Sequence, residues 1–277
     1  MTGTGTPPAD FDLGLVASDI DGTLLLDWQP ISETTIDAIH RCQQMGIPFV
    51  LVTGRPIRWL AAIAEQIPDL GRVVCLNGAV VYDIATGTIV DAHTLSHAGV
   101  REIVTAISAA HPEAHFAFET LTGLFIDDGF ATRSPQDATV IADLDEIADR
   151  EVVKILVSLG TDDSAALHDL LGPLVTRSCH ATFSDPVNGL VELAPRGITK
   201  AKTLESVCDH LGVGRERVMA FGDMPNDIEM LSWAGHGVAM GNALDIVKES
   251  ADAVTDSVAD DGVAHYLNAA LDALPAR

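Results

Sequence analysis

Two aspartates, Asp19 and Asp21, stand two residues apart, directly after an apolar run at 13–18 and just before Gly22 and Thr23. Carboxylates that close suit two different tasks. One can serve as nucleophile and metal ligand, the other as general acid/base. Gly22 permits the turn that would bring both to one side. An acidic turn capped by Asp is the plain structural alternative.

Three further groups match this chemistry. Thr53-Gly54-Arg55 follows another apolar run, where a hydroxyl and free main-chain N–H groups at a helix start would cradle a phosphate. Lys200 lies near the start of a helix after Pro195-Arg196-Gly197. The helix dipole disfavours a cation there, so a bound phosphate or a nearby aspartate would explain its position. Gly222-Asp223-Met224-Pro225-Asn226-Asp227 closes the set. Asp223 and Asp227 are four apart at a helix start and supply the hard oxygens that Mg²⁺ requires. Read singly, each group also fits an ordinary helix cap or a solvated charge. Together they make up a nucleophile, an acid/base, a phosphate hydroxyl, a cation and a metal site. Those are the parts of phosphoryl transfer through an aspartyl-phosphate.

Something must bring these residues to one place. Short apolar runs at 13–18, 48–52, 73–76 and 218–221 read as buried strands of a parallel sheet. Amphipathic patterns predict helices over 32–45 (Ser32 as N-cap), 56–66, 199–211, 225–233 and 263–274, the last stopped by Pro275. Each chemical group falls at a strand end or a helix start, where open α/β sheets bind ligands. The middle of the chain reads differently. A hairpin at 115–119 and 123–127, a strand at 152–159, a helix at 163–171 and short strands near 181–184 and 189–193 form an α+β layer. The expected organisation is a doubly wound α/β core made of residues 1–85 and 191–277, interrupted by an inserted α+β cap at 86–190.

Composition bounds the function. Lys and Arg number 16 against 40 Asp and Glu, a formal charge of −24. Such a chain repels nucleic acid and anionic membranes at long range and attracts divalent cations. The four cysteines are widely spaced with no CxxC pair, so they read as reduced, buried thiols. Neither a signal peptide nor an apolar run long enough to span a bilayer is evident, and the chain reads as cytoplasmic with a frayed start.

The stretches DIDGTLL, LVTGRP, ITKAKTL and FGDMPNDIEML, with Asn77-Gly78-Ala79 and Asp261-Gly262-Val263-Ala264, resemble the haloacid dehalogenase superfamily, and within it the Cof-type phosphatases. The insertion is similar in length and position to their C2B cap. Ala201 departs from the Gly that relatives often carry after the lysine. The resemblance implies that Asp19 attacks phosphorus and that Asp21 protonates the leaving oxygen and then activates water. Thr53, with Gly54, and Lys200 would hold the phosphoryl oxygens. Asp19, the main-chain carbonyl of Asp21 and Asp223 would bind Mg²⁺, with Asp227 supporting the metal shell and Asn226 the phosphate side. The expected partner is a small phosphorylated metabolite, a sugar, nucleotide or cofactor phosphate. Leaving-group contacts would come from the cap, where Glu119, Arg133, His115 and Asn188 are candidates by type. A phosphomutase or phosphotransferase on the same scaffold shares every core motif. A non-catalytic module resembling a phospho-receiver shares fewer, since it has no use for Asp21 or the insertion.

Overall fold

A computed structural model describes residues 8, 11–26, 29–67 and 69–274. Most of the expected frayed start, and the stop at Pro275, lie outside them. The chain forms two compact units, Met1–Val90 with Thr199–Arg277, and Asp91–Ile198.

The first unit opens with strand β1 (Leu15–Ser18), buried along its length. Helix α1 (Glu33–Gln44) follows, and Ser32 caps it by accepting from the Thr35 N–H. Its buried face carries Ala38, Ile39 and Cys42, the three- and four-residue spacing expected of a helix on a sheet. Strand β2 (Phe49–Leu51) then pairs parallel with β1. The helix expected over 56–66 is instead a 3-10 turn, Ile57–Trp59, and a short helix α2 (Ala61–Ala64). The N–H groups of Trp59 and Leu60 bond three residues back, so the chain is wound too tightly for one continuous α-helix.

Strand β3 (Arg72–Cys75) also departs from expectation. It meets the parallel sheet through the bridge Val52–Val74 and otherwise pairs antiparallel with β4 (Val80–Asp83). With β5 (Thr88–Ala92) these make a three-stranded sheet. An apolar run shows that a strand is buried but not which neighbour it pairs with.

The second unit holds helix α3 (His97–Ala110), strands β6 (His115–Thr120), β7 (Gly123–Ile126), β8 (Ala138–Val140) and β9 (Val152–Ser158), helix α4 (Ser164–Val175), and strands β10 (Cys179–Thr182) and β11 (Val191–Pro195). The six strands form one sheet in the order β10-β11-β9-β6-β7-β8. Phe116, Phe118, Ile155, Val157, Val191 and Leu193 pack with Ile103, Ile107, Leu167 and Leu171 of the two helices. Strand alternation sends Glu119, Lys154 and Glu192 to the opposite face. There Lys154 and Glu192 pair at 3.0 Å.

The first unit resumes with helix α5 (Lys200–Leu211), strand β12 (Val218–Gly222), helix α6 (Ile228–Trp233), strand β13 (His236–Ala239), helix α7 (Asp245–Ser250), strand β14 (Ala253–Val254) and helix α8 (Gly262–Ala273). Its five-stranded parallel sheet runs β14-β13-β12-β1-β2. β1 lies between β12 and β2, and the chain passes from it to β2 on one side and reaches β12 on the other. That is a topological switch point, the usual ligand crevice of an open α/β sheet. Ser32 also donates to Asp261 at the start of α8, which ties α1 to the last helix.

The unit boundaries fall at 90/91 and 198/199 rather than at the expected 85/86 and 190/191. The larger shift has a clear cause. β11 pairs with β9 and β10, so residues 191–195 belong to the inserted sheet. Among the described residues, no helix is long and apolar enough to cross a membrane. All four cysteines are free and buried.

Candidate active site

β1 and β12 are hydrogen-bonded neighbours whose registers pair Ser18 with Phe221, so the residues that follow them emerge side by side. Asp19 leaves β1, and Asp223 follows the end of β12. The Asp19 N–H donates to the Phe221 carbonyl at 3.0 Å, which keeps the two exits together. Gly22 turns with φ +79°, and a Cβ there would come 2.2 Å from Oδ2 of Asp223. Only glycine lets the first loop lie this close to the second. Thr23 donates from Oγ1 to Oδ1 of Asp223 at 3.0 Å.

Lys200, the first residue of α5, is 1% exposed. Its Nζ donates to Oδ1 of Asp19 at 2.6 Å and to Oδ1 of Asp227 at 2.7 Å. The unfavourable dipole position thus has the aspartate explanation that its sequence context allowed. Burial opposes its charge, but the two carboxylates outweigh that and hold the ammonium firmly protonated.

Asp19, Asp223 and Asp227 each offer an oxygen within 4.8 Å of the others, and all three are buried. Burial pushes Asp19 up to about 7, against the pull of Lys200 and with added repulsion from Asp227 and Asp21. Burial likewise pushes Asp223 up to about 8, reinforced by Asp19 and Asp227. Three carboxylates around one lysine leave an uncompensated negative charge, which a divalent cation on hard oxygens would neutralise. The donor set therefore fits Mg²⁺. Both oxygens of Asp227 are already committed, Oδ1 to Lys200 and Oδ2 to the N–H groups of Asp223 and Met224 at 3.1 Å each. That makes Asp227 an organiser of the loop, with Asp19 and Asp223 better placed as ligands.

Asp21 points elsewhere. Its carboxylate is not among the converging ones and is gripped by Arg55, Nε to Oδ2 at 2.7 Å and a terminal nitrogen to Oδ1 at 2.6 Å. Any metal contact from Asp21 would therefore be through its main-chain carbonyl, as the resemblance implies. Thr53 is fully buried, and its Oγ1 accepts from the Arg55 N–H at 3.1 Å, so its hydroxyl hydrogen remains to donate. Gly54 lies between them. Asn226 donates from Nδ2 to Oδ1 of Asn77 at 3.1 Å, while its own Oδ1 is buried without a hydrogen-bond partner among the described residues.

Sequence reasoning gave no role to Arg55, Thr23, Asn77 or Asn242, whose Nδ2 donates to the Gly22 carbonyl at 2.8 Å. Arg55 carried a usable signal: a basic residue inside an apolar, strand-end motif of a very acidic chain must pair with something. In the second unit, His115 contacts Asp127, Arg133 pairs with Asp185, and Asn188 accepts from Ser164. Glu119 is buried opposite Lys154.

The profile of haloacid dehalogenase-like hydrolases matches residues 16–267. The chain belongs to that family. It is therefore an enzyme of the hydrolase class, with the α/β core and inserted sheet of its relatives. The 5-amino-6-(5-phospho-D-ribitylamino)uracil phosphatase YitU of Bacillus subtilis is 32% identical over 259 residues, 91% of this chain and 96% of that protein. The pyridoxal phosphate phosphatase YbhA of Escherichia coli is 28% identical over 264 residues, covering 91% and 97%. Among solved structures, the phosphatase BT1666 of Bacteroides thetaiotaomicron superposes with a TM-score of 0.80 at 26% identity, over 97% of this chain and 98% of that one.

Proposed function

We propose that this family member is a Mg²⁺-dependent phosphatase that releases orthophosphate from a small phosphorylated metabolite, with Asp19 as nucleophile. The observation that carries the reading is the buried junction of Asp19, Lys200, Asp223 and Asp227. The Lys200 ammonium there is 2.6 Å from the Asp19 carboxylate, and Asp19 and Asp223 each offer an oxygen within 4.8 Å of the other.

In the first step an oxygen of Asp19 attacks phosphorus and the ester P–O bond breaks. Asp21 delivers a proton to the departing oxygen, leaving an aspartyl-phosphate and a free alcohol. In the second, Asp21 takes a proton from water as that water attacks the same phosphorus. Orthophosphate departs and the Asp19 carboxylate is restored. Lys200 and the Thr53 hydroxyl hold the phosphoryl oxygens throughout, and Arg55 sets the direction of Asp21. Asp19 and Asp223 would hold Mg²⁺, whose chemistry is to offset the repulsion between carboxylate and phosphate dianion.

The relatives named above act on a ribityl phosphate and a pyridoxal phosphate, both phosphomonoesters on a primary carbon of a molecule that carries a nitrogen heterocycle. We take that as the substrate class for this chain. A panel of 5-amino-6-(5-phospho-D-ribitylamino)uracil, pyridoxal phosphate, hexose phosphates and nucleoside monophosphates, assayed for free phosphate with Mg²⁺ and with EDTA, tests it. Transfer of phosphate to a second sugar without release would favour a mutase. No turnover of any ester with Mg²⁺ would sink the phosphatase reading.

A further inference from the structure

Three consecutive residues, Leu76, Asn77 and Gly78, have φ of +54°, +58° and +105°. A left-handed conformation is ordinary for glycine, tolerable for asparagine and unfavourable for leucine. All three are buried, so solvent does not relieve the strain. Such a segment persists only where its surroundings over-determine it, and these segments cluster at active sites.

The surroundings here are the phosphate-handling parts of the site. The Leu76 N–H donates to the Arg55 carbonyl at 3.2 Å, and the Asn77 N–H donates to the Thr53 carbonyl at 3.0 Å. The Gly78 carbonyl accepts from Oγ1 of Thr203 in α5 at 2.7 Å. A Cβ on Gly78 would lie 2.4 Å from the carbonyl of Thr199, the N-cap residue directly before Lys200. The side chain of Asn77 reaches the remaining part, accepting from Nδ2 of Asn226. One strained turn therefore touches the Thr53 loop, the first turn of the lysine helix and the Asn226 loop, three segments far apart in sequence.

We propose that Asn77 is a positioning residue, which orients the Asn226 amide for the phosphoryl group while its N–H holds the Thr53 carbonyl and the adjoining Gly78 packs against the first turn of the lysine helix. What the site binds rests on the phosphatase reading above. The Asn77 carboxamide oxygen fixes which end of the Asn226 amide turns toward it. Nδ2 spends one hydrogen on Asn77 and keeps its second to donate to a phosphoryl oxygen, while the buried Oδ1, with no partner among the described residues, accepts only from a donor such as water.

The test compares the parent with Asn77→Gly, Asn226→Ala and the double variant. Glycine accepts a φ of +58° without strain, so Asn77→Gly is expected to fold, melting a few degrees at most below the parent for the buried hydrogen bond it loses. Its affinity for orthophosphate with Mg²⁺, by titration calorimetry, and its kcat/KM are expected to fall about tenfold, the worth of one hydrogen bond. The double variant is expected to lose no more than Asn226→Ala alone, because Asn77 acts through that residue. The Asn226 side-chain amide resonance, identified by its loss in Asn226→Ala, is expected to move in Asn77→Gly without any ligand. A parent that neither binds orthophosphate nor releases it from esters defeats the phosphatase reading. An unmoved amide, parent-like phosphate affinity in Asn77→Gly, or losses that multiply in the double variant each overturn the role given to Asn77.

Discussion

Arg55 closes both arms of its guanidinium on Asp21, Nε on one carboxylate oxygen and a terminal nitrogen on the other, at 2.7 and 2.6 Å. Arg55 is 4% exposed, while the Asp21 side chain is 46% exposed. The buried partner therefore fixes the open one, and the fork sets both the angle and the rotation of the carboxylate. Lysine cannot reproduce that grip. Arg55→Lys should lower kcat by roughly a hundredfold, the effect of misplacing a reacting group by about 1 Å. Steady-state kinetics on the preferred ester checks this. A kcat within a factor of about two of the parent would separate Asp21's orientation from catalysis.

Asp19→Asn should abolish turnover, by more than about a thousandfold, since the amide is no nucleophile. The fold should survive. The change removes one of several crowded carboxylates, so the metal-free protein should melt no lower than the parent. Retention of more than about a tenth of activity would take Asp19 out of the mechanism.

Asp21→Asn should separate the two chemical steps. With a good leaving group the first needs little acid help, so one equivalent of alcohol is released per site and steady turnover stays low. Rapid-quench measurement of alcohol against phosphate reads this directly. Equal, continuing release of both products at the parent rate would contradict an acid/base role for Asp21.

Stability of the metal-free protein should depend on pH in a defined direction. Burial raises Asp19 from 3.8 to about 7 and Asp223 from 3.8 to about 8. A carboxyl that binds its proton more tightly when folded contributes stability fully below its unfolded value. That contribution fades as pH rises through the folded one. In EDTA the protein should melt lower at pH 8.5 than at pH 5.5, with the loss spread over the interval between these values. Asp223→Asn should flatten the slope, and Mg²⁺ should restore the melt at pH 8.5. Scanning calorimetry in which Asp223→Asn keeps the parent's slope would place its origin outside this cluster.

Lys200→Met should destabilise the fold as well as stop catalysis. Removing the cation strands Asp19 and Asp227 in a buried site, at a cost of about 3–5 kcal/mol. Adding Asp227→Asn should recover part of that in urea unfolding. No recovery would mean that the lysine stabilises by packing its stem rather than by its charge.

Much of this was legible in the sequence. Apolar runs followed by Asp19, Thr53 and Asp223 mark strand exits, and parallel strands bring such exits to one edge. Ser32, read as an N-cap, and the helix read from 199 locate two helix starts to within a residue. Other features carry no such signature. The pairing of β3 depends on which edge is free, and the turn at Leu76 runs against the preference of its own side chain. The reach of β11 into the inserted sheet cannot be told from an apolar run that suits either unit. Arg55 was visible as a residue, but its partner lies 34 positions away. Asn77 finds Asn226 across 149 positions, with the whole inserted unit in between.

The discontinuity of the first unit bears on how the chain is made. Residues 91–198 are contiguous and carry a core of their own, so this segment is equipped to fold as soon as it leaves the ribosome. The first unit must wait. β1 takes β12 as a neighbour, pairing Leu15 with Val218, so its edge stays open until β12, in the final third of the chain, has been translated. During that interval an apolar strand edge is exposed to other nascent chains, the condition that favours chaperone capture or edge-to-edge association. Lys200 emerges 181 residues after the carboxylate it will hold, so no partly synthesised chain carries the finished reaction centre.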